Sequence, residues 1–210
     1  MTAFFKANAF VAVSAMAALH LASCTTPDTL EQDTTNTFIV VEQVQGAQGS
    51  PTGSPTDELE SDVCSLTQDE ATGESFCTIA ADYGVVQMSA VLKNQNQLDP
   101  TFLNDVTFTS YRVTYTRSDG RNTPGVDVPY PFDGATNFIV TVGAGASSRA
   151  FILVRIQAKL EPPLINMRGA GGALALSAIA EIEFFGHDNA GRAISAKGFL
   201  NIHFADFADQ

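Results

Sequence analysis

The stretch VTFTSYRVTYTR at residues 106–117 decides the fold. Thr107, Thr109, Tyr111, Val113 and Tyr115 alternate with Val106, Phe108, Ser110, Arg112 and Thr114. That is the period of a β-strand, in which successive side chains point to opposite faces. Both rows contain β-branched and aromatic residues, so the segment reads as a central strand. Ser118-Asp119-Gly120 ends it with a turn signal.

Downstream, residues 121–135 hold Pro124, Pro129 and Pro131. Proline cannot donate to a strand ladder, so this region reads as an irregular loop. TNFIVTV (136–142) is a strand, and GAGASS (143–148) a small-residue turn. RAFILVRIQAKL (149–160) alternates, with Ile152, Val154, Ile156, Ala158 and Leu160 expected inside and Arg155, Gln157 and Lys159 outside. Glu161-Pro162-Pro163 stops it, and a glycine-rich loop follows at 165–173. Residues 177–185 place Ala178, Ala180, Ile182 and Phe184 inward; 192–204 do the same with Ile194, Ala196, Gly198, Leu200, Ile202 and Phe204. A turn at 186–191 joins the two.

Upstream, residues 83–93 put Val86, Met88, Ala90 and Leu92 on one face, followed by a polar loop over 94–105. TFIVVEQVQ (37–45) has four consecutive β-formers, Phe38 to Val41, and is expected to dock as the first strand. Residues 46–61, rich in Gly, Ser, Pro and Thr, read as a disordered loop. Helical periodicity is absent beyond the N-terminal segment.

Seven to eight short strands separated by turns make this an all-β chain, expected to form a single antiparallel β-sandwich over 37–210. It resembles immunoglobulin-like or fibronectin-III-like modules. The turn Phe185-Gly186-His187-Asp188-Asn189-Ala190-Gly191 is similar to turns of bacterial adhesion-type modules of that kind. The antibody-type marks are missing, for there is no Trp. A fold-level resemblance implies no activity.

The N-terminus carries a second resemblance. Lys6 precedes a run of small and apolar residues from Ala9 to Ala22, too short to cross a bilayer. Leu21-Ala22-Ser23-Cys24 then resembles the processing site of bacterial lipoproteins. The resemblance implies a signal peptide at 1–23, acylation of Cys24, and a cell-envelope location, at the outer membrane in a Gram-negative cell. Two or more acyl chains would anchor the chain stably. The alternative is an ordinary secretory signal, which small residues such as Ala22 and Ser23 also suit. Residues 24–36 read as a flexible acidic tether.

Two cysteines remain, Cys64 and Cys77. In an oxidising compartment they are most simply one disulfide, closing a short hairpin that turns at Ala71-Thr72-Gly73. A metal pair or a redox dithiol has no support, because no Cys-x-x-Cys motif is present.

The 210 residues carry a net charge of −12. No Lys or Arg lies between Lys6 and Lys93, whereas 11 acidic residues fall from Asp28 through Glu74. An acidic block of this kind repels phosphates, so nucleic acid is excluded as a partner class.

Chemistry-bearing motifs are sparse. No nucleophile elbow and no zinc-protease helix motif occur, and His187 and His203 lack metal spacing. No enzymatic activity is therefore expected. Calcium is the one cofactor to weigh, with Asp119, Asp127, Asp133 and Asp188 as candidate ligands on loops. Tyr130 and Phe132, flanking Pro131, are candidate binding residues. The expected function is a lipid-anchored module holding an envelope protein partner. The alternative is a surface-displayed module binding carbohydrate or calcium.

Overall fold

The computed structural model describes residues 35–94 and 99–207. The chain is all-β. Among the described residues it forms ten strands: β1 (Thr37–Ala47), β2 (Glu58–Asp62), β3 (Ser65–Gln68), β4 (Ser75–Thr78), β5 (Asp82–Leu92), β6 (Val106–Thr116), β7 (Phe132–Val140), β8 (Ser147–Val154), β9 (Ala175–Asp188) and β10 (Ala193–Ala205). One short helix, α1 (Ile156–Lys159), follows β8. One curled sheet has the order β1-β5-β8, and the other β2-β10-β9-β6-β7. The hairpin β3-β4 stands apart from both.

A single core fills the space between the sheets. Phe151 from the three-stranded sheet meets Tyr111 and Phe184 from the other, with ring centroids 5.2 and 5.3 Å away. The Tyr115 hydroxyl donates across the gap to the Leu153 carbonyl at 2.6 Å. The Ile152 N–H donates to the Tyr111 hydroxyl at 3.2 Å. Buried phenols need such partners, so these two tyrosines pin one sheet to the other. Gly198 sets a near approach: a Cβ there would lie 2.5 Å from Val44 Cγ2.

Strand β6 is central, between β7 and β9. Its two sequence rows are not two faces, however. A bulge between Phe108 and Ser110 shifts the register against both neighbours. Val106 and Phe108 are buried before it, and Tyr111, Val113 and Tyr115 after it. An extra residue flips the side-chain parity. Hence both rows of this strand carry core residues.

Four expectations need correction. The stretch 149–160 is not one strand, because β5 begins at Asp82, opposite Val154, and β8 has no pairing partner beyond it. The chain turns into α1 there, so Phe151, Leu153, Val154 and Ala158 are buried while Ile152, Ile156 and Leu160 are exposed. The loop expected over 46–61 ends early, since Glu58–Asp62 form β2. Strand β2 runs parallel to β10, so the larger sheet is mixed rather than purely antiparallel. Finally, the irregular region stops at Pro131, and Phe132–Ala135 belong to edge strand β7.

Strand directions divide the molecule into two poles. The chain enters at Thr35 and Thr37, both buried, beside the end of β5, the start of β6 and the β9-β10 turn. Thr37 Oγ1 donates to the Asn104 carbonyl at 2.8 Å and fixes that junction. We call this the proximal pole. The distal pole gathers the hairpin β3-β4, the loops 48–57 and 117–131, α1, and the segment 160–174. Strand β10, with 13 residues at ~3.3–3.4 Å each, makes the poles about 40 Å apart.

Candidate functional site

The distal pole is built on a buried charge. Lys159 leaves α1 inward, and its ammonium lies 2.8 Å from Asp82 Oδ2. It also donates to the Asp62 carbonyl at 2.7 Å. Asp82 accepts from Ser61 Oγ at 2.6 Å and from the Gly49 N–H at 3.0 Å. Four segments therefore converge on one ion pair. Burying two charges is tolerable only with this degree of hydrogen bonding. Strand periodicity continued past the end of β8 puts Lys159 outside; α1 turns it inward instead.

A groove of about 490 Å³ lies next to this cluster, lined among others by Cys64, Leu66, Cys77, Arg168, Asp206 and Phe207. The Cys64–Cys77 disulfide forms one wall, with its Cα atoms 5.3 Å apart. Asp62 holds the wall in place: Oδ1 accepts from the Cys64 and Phe207 N–H groups, each at 3.2 Å, and Oδ2 from Ser65 Oγ at 2.7 Å. The opposite wall is the segment after α1. Arg168 donates through Nη2 to the Lys159 carbonyl at 2.8 Å, and the Gly169 N–H donates to the Asp206 carboxylate. Gly169 has φ 74°, a conformation that favours glycine. The groove thus combines a guanidinium, a carboxylate, sulfur and two apolar side chains. Such a mixture can contact both polar and apolar groups.

The hairpin expected around Ala71-Thr72-Gly73 is present, with Leu66 opposite Cys77 and Thr67 opposite Phe76. Leu66 and Phe76 are exposed. A disulfide-bonded protein fits an oxidising, extracytoplasmic compartment. Cys24 and its signal motif lie outside the described residues. Among the described residues, no helix is long and apolar enough to cross a membrane.

The other expected site residues are dispersed. Asp119 bridges Arg117 and Arg121, and the Arg117 hydrogen bond holds its carboxyl far below the usual carboxylate range. Asp133 pairs with Arg112 on the outer face of the large sheet, which lowers its pKa in the same way. Asp127 accepts from the Thr123 N–H inside its own loop. Asp188 is buried in the β9-β10 turn, where it accepts from the Ala190 and Arg192 N–H groups and pairs with the Arg192 side chain. The four carboxylates are not brought together. Among the described residues, no group of three metal-ligating side chains forms.

Tyr130 and Phe132 also separate. Phe132 packs against the core beneath the Arg155 guanidinium, 5.1 Å from its ring centroid, and meets Tyr111 edge-on. Tyr130 stays exposed, with its ring laid over Gly125.

One polar line resembles a catalytic arrangement. Ser177 Oγ lies 2.9 Å from His203 Nδ1, and His203 Nε2 lies 3.4 Å from Glu58 Oε2. All three sit on the solvent face of adjoining strands, with the His and Glu side chains 40% and 61% exposed. In that setting the charges are screened by water, and the line serves as a cross-strand bridge.

No protein family, no curated protein and no solved structure matches the chain.

Proposed function

We propose that this chain is a lipid-anchored, non-enzymatic module that holds a protein partner at the cell envelope through its distal pole. The observation that carries this reading is the separation of the two poles. The chain enters at one end of the sheets, and the disulfide-pinned hairpin and its groove stand at the other. A chain tethered at Cys24 would then present the groove away from the membrane.

The finer fold reading is immunoglobulin-like. The order β1-β5-β8 against β2-β10-β9-β6-β7 supports it. Strands β5, β6, β7, β8, β9 and β10 then take the places of B, C, C′, E, F and G. The first strand is shared between the sheets as β1 and β2, which accounts for the parallel β2-β10 pair.

The test is a pull-down of the full chain from membranes opened in mild detergent. Wild type is compared with a Leu66→Ser/Arg168→Ala variant. One recurring stoichiometric protein is expected with wild type and is lost with the variant. A chain that purifies alone, or a partner indifferent to the variant, removes the distal pole from the function.

A further inference from the structure

We infer that the proximal pole is a lipid-contacting surface, with Phe102 and Leu103 entering the headgroup region of the membrane. This rests on the lipid-anchor reading above.

The proximal pole carries an apolar tip that the fold does not bury. Phe102 and Leu103, in a 3₁₀ turn over Phe102–Asn104, are 73% and 44% exposed. They are not free to fold back. Asn189 Nδ2 donates to the Phe102 carbonyl at 2.7 Å, and the Asp105 N–H donates to the same oxygen at 3.3 Å. Thr37 Oγ1 holds the Asn104 carbonyl. The turn is thus fastened to the β9-β10 turn on one side and to the start of β1 on the other. Phe38, one residue beyond Thr37, is also exposed, at 48%. The adjacent Gly143, Ala144, Gly145 and Ala146 are small, uncharged and exposed.

The occupant follows from where the chain enters. Ten residues, 25–34, separate Cys24 from the buried Thr35. Fully extended they reach roughly 33–36 Å; as a coil they span roughly 16–19 Å. The anchor therefore keeps this pole close to the bilayer, and an aromatic residue held outward there meets the interface first.

The charge pattern sets the mode of contact. Lys93 and the exposed Asp99 flank this pole in the connection between β5 and β6. Asp188 is buried against Arg192, and Asp105 accepts from the Val142 N–H at 3.2 Å. His187 sits in the adjoining turn. With Asp28, Glu31 and Asp33 in the tether, attraction to anionic lipid contributes nothing. Contact comes from apolar insertion and is insensitive to salt.

The chain contains no Trp, so a single introduced indole is a clean reporter. The acylated full chain is placed in phosphatidylcholine vesicles as Phe102→Trp or Phe199→Trp. Phe199 is exposed on the outer face of the large sheet, away from the tip. Phe102→Trp is expected to shift its emission to shorter wavelength and lose most of it to brominated lipid, unchanged by salt. Phe199→Trp keeps its emission. Leu103→Trp serves as a second reporter should the first variant misfold, which its melting curve reveals. If the protein floats with the vesicles and neither tip reporter is quenched, the inference is overturned while the anchor stands. A blue shift without quenching by brominated lipid overturns it too, in favour of a protein occupant. Failure to float, with an intact mass lacking acyl chains, removes the anchor itself and the inference with it.

Discussion

The ammonium of Lys159 and the Oδ2 of Asp82 lie 2.8 Å apart with side chains 2% and 1% exposed. The pair ties α1 to the first residue of β5, and through Ser61 and Gly49 to β2 and the loop before it. Removing one member of such a pair strands the other charge in the interior. Lys159→Met is expected to lower unfolding free energy by about 3–5 kcal/mol. Lys159→Met/Asp82→Leu costs less than the sum of its single variants, because no lone charge remains. It does not reach wild type, because Ser61 and Gly49 lose their acceptor. Chemical denaturation of the four proteins measures both statements.

Tyr115 gives the fold an alkaline limit. Burial pushes its phenol far above the ordinary value near 10, and Tyr111 is raised for the same reason. A raised folded-state pKa contributes stability that is whole below the unfolded value and declines as pH rises past it. Stability is therefore expected to hold up to about pH 10 and fall above it. Tyr115→Phe costs about 1 kcal/mol at neutral pH through the lost bond to Leu153, and its alkaline fall is shallower. Melting curves across pH 7 to 11 test the sign; a wild-type curve flat to the top of that range refutes it.

Tyr130 and Phe132 are two residues apart and do different work. Phe132→Ala is expected to cost about 2 kcal/mol, below the 3–5 of a fully buried ring, because Tyr111 and Arg155 lose their neighbour. Tyr130→Ala stays within about 1 kcal/mol of wild type, as exposed positions do. Equal losses in thermal unfolding contradict this division.

The disulfide closes a loop of 13 residues around a hairpin whose strand residues are all exposed. Reduction is expected to lower stability by about 3 kcal/mol. Amide exchange should rise first over residues 65–78, with the groove losing its wall while the aromatic core stays protected. Uniform acceleration across both sheets argues that the hairpin is not a separate unit.

Much of the fold was legible in period-two patterning. The inward residues of β5, β9 and β10 fall where alternation puts them, because those strands are regular and covered on one face. The pattern misled where pairing ended or slipped. In β6 a single inserted residue exchanged the two rows, and alternation does not mark a bulge. Past Val154 the chain keeps alternating, yet β5 has ended, so Lys159 turns inward. Of the candidate sites, the cysteine pair was readable from count and compartment. The groove beside it was not, since Arg168 and Asp206 meet only through the return of β10. The apolar tip at Phe102 was hidden inside a stretch that reads as polar.

Strand β10 is the last of the described strands, and the first two both meet it. It pairs with β2, and its Gly198 lies under Val44 of β1. Synthesis from the N-terminus delivers β2 long before its pairing partner, and β1 long before the strand that covers Val44. Neither has a complete surface to settle on until residues 193–205 have been made. Such long-range pairing slows collapse to the native state. In the export reading proposed above, this order would keep the larger sheet incomplete until the end of the described chain is through.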